Sequence, residues 1–118
     1  MTKKFLVLYM APVAEFQRMM DSMKDATPEQ QKEGMKAWGV WMEAHGDALT
    51  DPGAPLGKTK RVDEKGVSDV KNEVGGYSIV QAESADAAAK LFSTDHPHLQ
   101  SMKGGWIEIV EIMPMPGM

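Results

Sequence analysis

Residues 5 to 10 read Phe-Leu-Val-Leu-Tyr-Met, an apolar run without a polar break. Successive side chains of a strand point to opposite faces, so a strand with one solvated face alternates apolar and polar residues. Here Phe5, Val7 and Tyr9 form one apolar set, and Leu6, Leu8 and Met10 form the other. The pattern predicts a strand over residues 4 to 10 that needs cover on both faces. Lys3 and Lys4 ahead of the run, and Ala11-Pro12-Val13-Ala14 after it, faintly resemble a secretory leader. The apolar stretch is short for one and Pro12 closes it at once, so a buried first strand is the better reading.

Pro12 suits the first turn of a helix, in which Val13, Phe16, Met20 and Met23 share one face. Thr27, Pro28 and Gln30 spell a capping box with proline at the first helical position. Met35, Trp38, Met42 and His45 then form a stripe with Trp41 beside it, and Gly46 is the expected stop. Asp51-Pro52-Gly53 and Pro55 read as a loop. Lys58 to Asp63 and Val67 to Val70 read as a hairpin turning at Glu64-Lys65-Gly66. Gly75-Gly76 open a strong strand through Ala82, and Ser84 caps a third helix reaching about Phe92. Thr94-Asp95-His96-Pro97-His98 reads as a loop, because the residue before proline avoids helical geometry. Trp106 to Met113 is the last strand, and Met115 to Met118 a tail.

The order is strand–helix–strand twice, over residues 4 to about 62 and 75 to 113. It predicts a single α+β domain over residues 1–118, a ferredoxin-like βαββαβ antiparallel sheet with helices on one face. The free apolar face of the first strand, with Trp106, Val110 and Ile112 of the last, predicts a homodimer that packs two sheets together.

The chain has no cysteine, which excludes disulfides, thiolate metal sites and cysteine nucleophiles and agrees with a cytoplasmic protein. The formal net charge is -4 and no basic run offers a phosphate footprint, so no nucleic-acid partner is expected. No stretch approaches the ~20 apolar residues of a membrane helix, so no membrane partner is expected either. No dinucleotide fingerprint, phosphate loop, nucleophile elbow or zinc-protease motif is present, and neither cofactor nor metal is expected. The 11 methionines are core filler or the lining of an adaptable pocket.

Four segments carry a resemblance to a known family. They are Lys4 to Tyr9, Gly46 to Gly53, Gly75 to Val80 and Ile107 to Ile112. Together they resemble the YCII-related proteins, which include the DGPF-domain proteins. The resemblance implies a dimeric α/β barrel with a cleft near the dimer interface. The chain departs from the DGPF pattern at Val67-Ser68-Asp69-Val70, which keeps the aspartate without the Gly-Pro-Phe. The histidine that some YCII-type members use in a cleft His–Asp pair would fall near Met35 to Trp38, where this chain has none.

The residues themselves point to Asp95, His96 and His98 as candidate catalytic groups. Two imidazoles and a carboxylate lie together on a segment that proline stiffens, and histidine titrates near neutrality. The same segment also reads as a solvated turn after a helix. Trp106, His45, Asp69 and Trp41 are candidate ligand-binding residues. His45 equally suits a helix C-terminus, where an imidazole bonds a free carbonyl, with Asp47 beside it as an alternative orienter. Three functions fit these residues: a cofactor-independent small-molecule enzyme using acid–base chemistry, a non-catalytic ligand-binding or interaction module, and a cofactor-free monooxygenase-like protein. The last needs an electron-rich aromatic pocket, for which the tryptophans speak.

Overall fold

The computed structural model describes residues 2–93 and 95–116; Thr94 of the histidine segment and the last two residues of the tail lie outside them. The element order is β1 (Lys3–Met10), α1 (Val13–Met23), α2 (Pro28–Ala44), β2 (Leu49–Pro55), β3 (Thr59–Asp63), β4 (Gly66–Val70), β5 (Val74–Ala82), α3 (Ala85–Ala89), α4 (Pro97–Ser101) and β6 (Trp106–Glu111). The protein is α+β, with antiparallel strand pairing in both of its sheets. A four-stranded sheet has the order β2-β5-β1-β6, and β3 and β4 form a separate two-stranded hairpin. That order is consistent with the ferredoxin-like arrangement expected from the sequence.

The two faces of β1 have different fates. Phe5, Val7 and Tyr9 are buried, whereas Leu6, Leu8 and Met10 are only half-buried. The buried set joins Val80 and Ala88, with Trp38, Leu49, Leu91, Phe92, Ile107 and Ile109 packed around it. Cross-strand partners share a face, so the other side of the sheet collects Ile79 and Val110 beside Leu6, Tyr77 and Glu108 beside Leu8, and Trp106 beside Met10. Val110 and Ile112 remain exposed, at 47% and 42%.

The caps at Thr27 and Ser84 act as read. Thr27 Oγ1 accepts from Gln30 N while Gln30 Oε1 accepts from Thr27 N, closing the capping box at 3.1 and 2.9 Å. Ser84 Oγ accepts from Ala87 N at the start of α3. Even so, α2 buries none of its 17 residues fully. With the hairpin, it leaves the chain spread out. The Cα radius of gyration is 16.0 Å, against about 13.5 Å for a compact chain of this length.

Four sequence expectations need correction. Asp51-Pro52-Gly53 and Pro55, read as a loop, belong to edge strand β2 (Leu49–Pro55), and the second core strand is therefore β2 and not residues 58–63. An edge position tolerates Pro52 and Pro55, and bulges between Leu49 and Ala54 absorb the irregular pairing. The segment around Pro97 is not wholly loop, because Pro97 opens the short helix α4. The last strand stops at Glu111 rather than Met113, and the third helix ends at Ala89 rather than near Phe92.

Gly53 makes the edge strand possible. Its φ is +75°, and a Cβ there would lie 1.7 Å from the Tyr77 carbonyl oxygen. Ser78 Oγ holds the preceding carbonyl, that of Pro52, at 2.8 Å. Gly53→Ala is expected to cost about 2–5 kcal/mol, from the disfavoured backbone and the forced displacement together. Gly34→Ala in α2, where a Cβ meets nothing within 4 Å, is expected to stabilise by about 1 kcal/mol. Urea midpoints of the two variants should therefore move in opposite directions.

Candidate functional site

The three histidines sit close to one group of aromatic rings, yet they do different things. Pro97 has no N–H, so the His98 amide is the next donor in the first turn of α4. His96 Nδ1 accepts it at 3.0 Å, an imidazole acting in the place of the usual Ser, Thr, Asp or Asn cap. Accepting at Nδ1 leaves the neutral ring's proton on Nε2. That Nε2 is buried and has no hydrogen-bond partner among the described residues.

Rings surround His96. Tyr9 stacks on it at 5.5 Å, Trp38 and Trp41 approach in T-shaped geometry at 4.9 and 4.6 Å, and Phe92 lies at 5.4 Å. His96 is 1% exposed. Burial pushes its pKa down from the ordinary histidine value to about 4, with the neighbouring His98 and His45 adding to the effect. The ring is therefore neutral at physiological pH, a donor at Nε2 and not a base.

His98 is also buried, but it has a partner. Its Nε2 meets the Met10 carbonyl at 2.7 Å. Burial lowers its pKa, and its bonds to the backbone of Met10 and Trp106 oppose that shift. It clasps α4 to the end of β1 and the start of β6, where Met10 and Trp106 pair. His45 is the C-cap of α2, and its Nδ1 meets the Trp41 carbonyl at 2.9 Å. This is the helix-end role; the ring is oriented by Trp41 and not by Asp47. Trp41 is stacked between His45 at 4.7 Å and Phe92 at 5.0 Å.

The proton accounting of Tyr9 is also settled by its partners. Ser78 Oγ donates to the Pro52 carbonyl, which can only accept. The Tyr9 hydroxyl, 2.9 Å from Ser78 Oγ, must then be the donor in that pair. Burial raises the Tyr9 pKa, and the Ser78 bond partly offsets it. Tyr9 thus enters the cluster with its only hydroxyl proton committed.

The structure brings His96, His98, His45 and Trp41 together and leaves three candidates elsewhere. Asp95 is exposed, and its amide donates to Ser93 Oγ. Asp69 lies on β4, exposed and paired with Lys60 across the hairpin. Trp106 donates from Nε1 to Glu108 at 2.8 Å, on the sheet face opposite the buried one. Tyr9, Trp38 and Phe92 complete the cluster. Tyr9 was legible as a member of the Phe5/Val7 face and Trp38 as a member of the α2 stripe, but neither signal pointed to His96.

No group of three or more His, Asp or Glu side chains able to hold a metal occurs among the described residues. Shallow depressions at the hairpin tip, near Arg61 and Lys65, and along α2, near Met35, do not border His96.

The burial of His96 makes stability depend on pH. Its folded pKa is depressed, so the unfolded chain binds more protons between about 4 and the ordinary value of about 6.5. Stability is full above the upper limit and falls as pH drops through that window, by on the order of 3 kcal/mol in all. His96→Phe should flatten this part of the profile, measured by urea unfolding from pH 4 to 7.5; an unchanged slope would assign it to other groups. No protein-family model and no curated protein matches this chain, so the reading of the site stands on its geometry.

Proposed function

We propose that this is a cytoplasmic YCII-like protein, a homodimer on a ferredoxin-like, dimeric α/β-barrel fold, that acts on a small molecule without a cofactor. The observation that carries the reading is His96 Nε2, a buried donor with no partner among the described residues, in a ring of aromatic side chains. An unmade hydrogen bond of a buried group costs about 1–3 kcal/mol. A ligand acceptor oxygen placed there recovers that cost. A neutral imidazole held by a helix-start amide is suited to polarise a carbonyl and to stabilise negative charge that develops on its oxygen. His96 therefore works as an electrophilic donor, and not as the base expected of an isolated loop histidine.

The second reading, a ligand-binding module without turnover, draws on the same accounting. His98 and His45 are occupied by backbone carbonyls, and the Tyr9 proton is committed to Ser78. The donor protons of these three neighbours are thereby held in structural bonds, as a site that binds without turnover would have them. Turnover that falls ~100-fold or more in His96→Phe supports the enzyme. Binding that depends on His96 while no product forms supports the module.

The dimer rests on the second face of β1. Leu6 there lies between Ile79 and Val110, and water would otherwise meet this apolar strip. Face-to-face packing of two such sheets removes it.

Two outcomes are expected. Sedimentation equilibrium at tens of micromolar should give a dimer, and Leu6→Lys should give a monomer; a monomeric parent protein would sink the sheet-face dimer. Imidazole NMR signals followed against a metabolite library should show His96 responding first. Ligands that move only His45, or none of the three histidines, would relocate the site.

A further inference from the structure

The geometry points to a ligand class for the His96 site: an uncharged, planar compound with a carbonyl oxygen, whose ring packs among the aromatic rings around His96 while its oxygen accepts from His96 Nε2. This inference rests on the proposed role of His96 and adds what the site selects.

The first observation is charge. The rings in contact with His96 are Tyr9, Trp38, Trp41 and Phe92, and none carries a formal charge. The groups that act on it electrostatically are the imidazoles His98 and His45. The rings of Tyr9 and His98 lie 5.5 Å apart, and both have their donors occupied. A carboxylate or phosphate brought to Nε2 would lose its water and gain one neutral hydrogen bond. Burying an ion without a counter-charge is unfavourable. A carbonyl oxygen loses far less on desolvation, and one hydrogen bond satisfies it.

The second observation is shape. His45, Trp41 and Phe92 form a near-parallel stack, with interplanar angles of 27° and 28°. The stack is half-buried. Such a surface favours a flat π-system over a branched aliphatic group. The third observation is the way in. α2 carries Trp38, Trp41 and His45 at its end but buries no residue fully. A ligand that reaches Nε2 has to part these rings from His96, and α2 is a covering element with no fully buried residue.

The test uses three probes of similar shape on the full chain: acetophenone, with a ring and a carbonyl; ethylbenzene, with a ring and no acceptor; and benzoate, with a ring and a negative charge. Binding is read by tryptophan fluorescence and by the nitrogen resonances of the His96 ring. Acetophenone is expected to bind, to shift the Nε2 resonance, and to bind about tenfold more tightly than ethylbenzene, the discrimination one buried hydrogen bond gives. Benzoate is expected to be at least about tenfold weaker than acetophenone. In His96→Phe the acetophenone advantage should vanish. His96→Asn, which keeps a cap for α4, serves the same purpose if the phenylalanine variant does not fold. Ethylbenzene and acetophenone binding equally, or benzoate binding more tightly than either, overturns the ligand class while leaving His96 as the site. Probes that leave all His96 signals unmoved overturn the class together with the site.

Discussion

Burial of one alternate set on β1 is the constraint on which the rest depends. Phe5 and Val7 supply the apolar floor of the core, and Tyr9 ends it with a polar tip. A buried phenol needs a partner, and it finds one in Ser78, which passes the bond on to the edge strand at Pro52. One side chain therefore registers β1 against β5 and holds β2 in place. Its ring is also the floor of the histidine cluster. Changes to the core and changes to the site are for this reason hard to separate at Tyr9.

The cluster shows how strongly backbone partners decide what a histidine can do. His98 and His45 each meet a main-chain carbonyl, and each ties a helix end to its surroundings. His96 reverses the pattern by accepting from an amide. That single difference puts its remaining proton on the far nitrogen, without a partner among the described residues, and burial keeps the ring neutral. Three identical side chains thus become two clasps and one unsatisfied donor.

The sheet's second face and the loosely seated α2 belong together. A chain that buries only one side of a strand apolar on both sides, and spreads to a radius of gyration of 16.0 Å, leaves surface for something else to cover. A second copy is the cover proposed for the sheet. α2 is attached through the rings of Trp38 and Trp41 and not through a fully buried stripe.

Local chemistry was enough to read several features from the sequence. The first strand, the capping box at Thr27, the cap at Ser84, the hairpin turn and the grouping of His96 with His98 follow from side chains acting within a few residues of one another. The α+β class follows from their order. The nature of the edge strand did not follow, because prolines and glycine in Asp51 to Pro55 mark a loop in isolation and become a strand only when Tyr77 and Ser78 lie beside them. Nor did the separation of Asp69, Asp95 and Trp106 from the cluster, since neighbours in sequence and alternate strand residues can end on opposite faces. The role of His96 was least legible of all. It depends on which nitrogen meets which backbone group, and on rings contributed by β1, α2 and the segment after α3, a juxtaposition that exists only once the chain has folded.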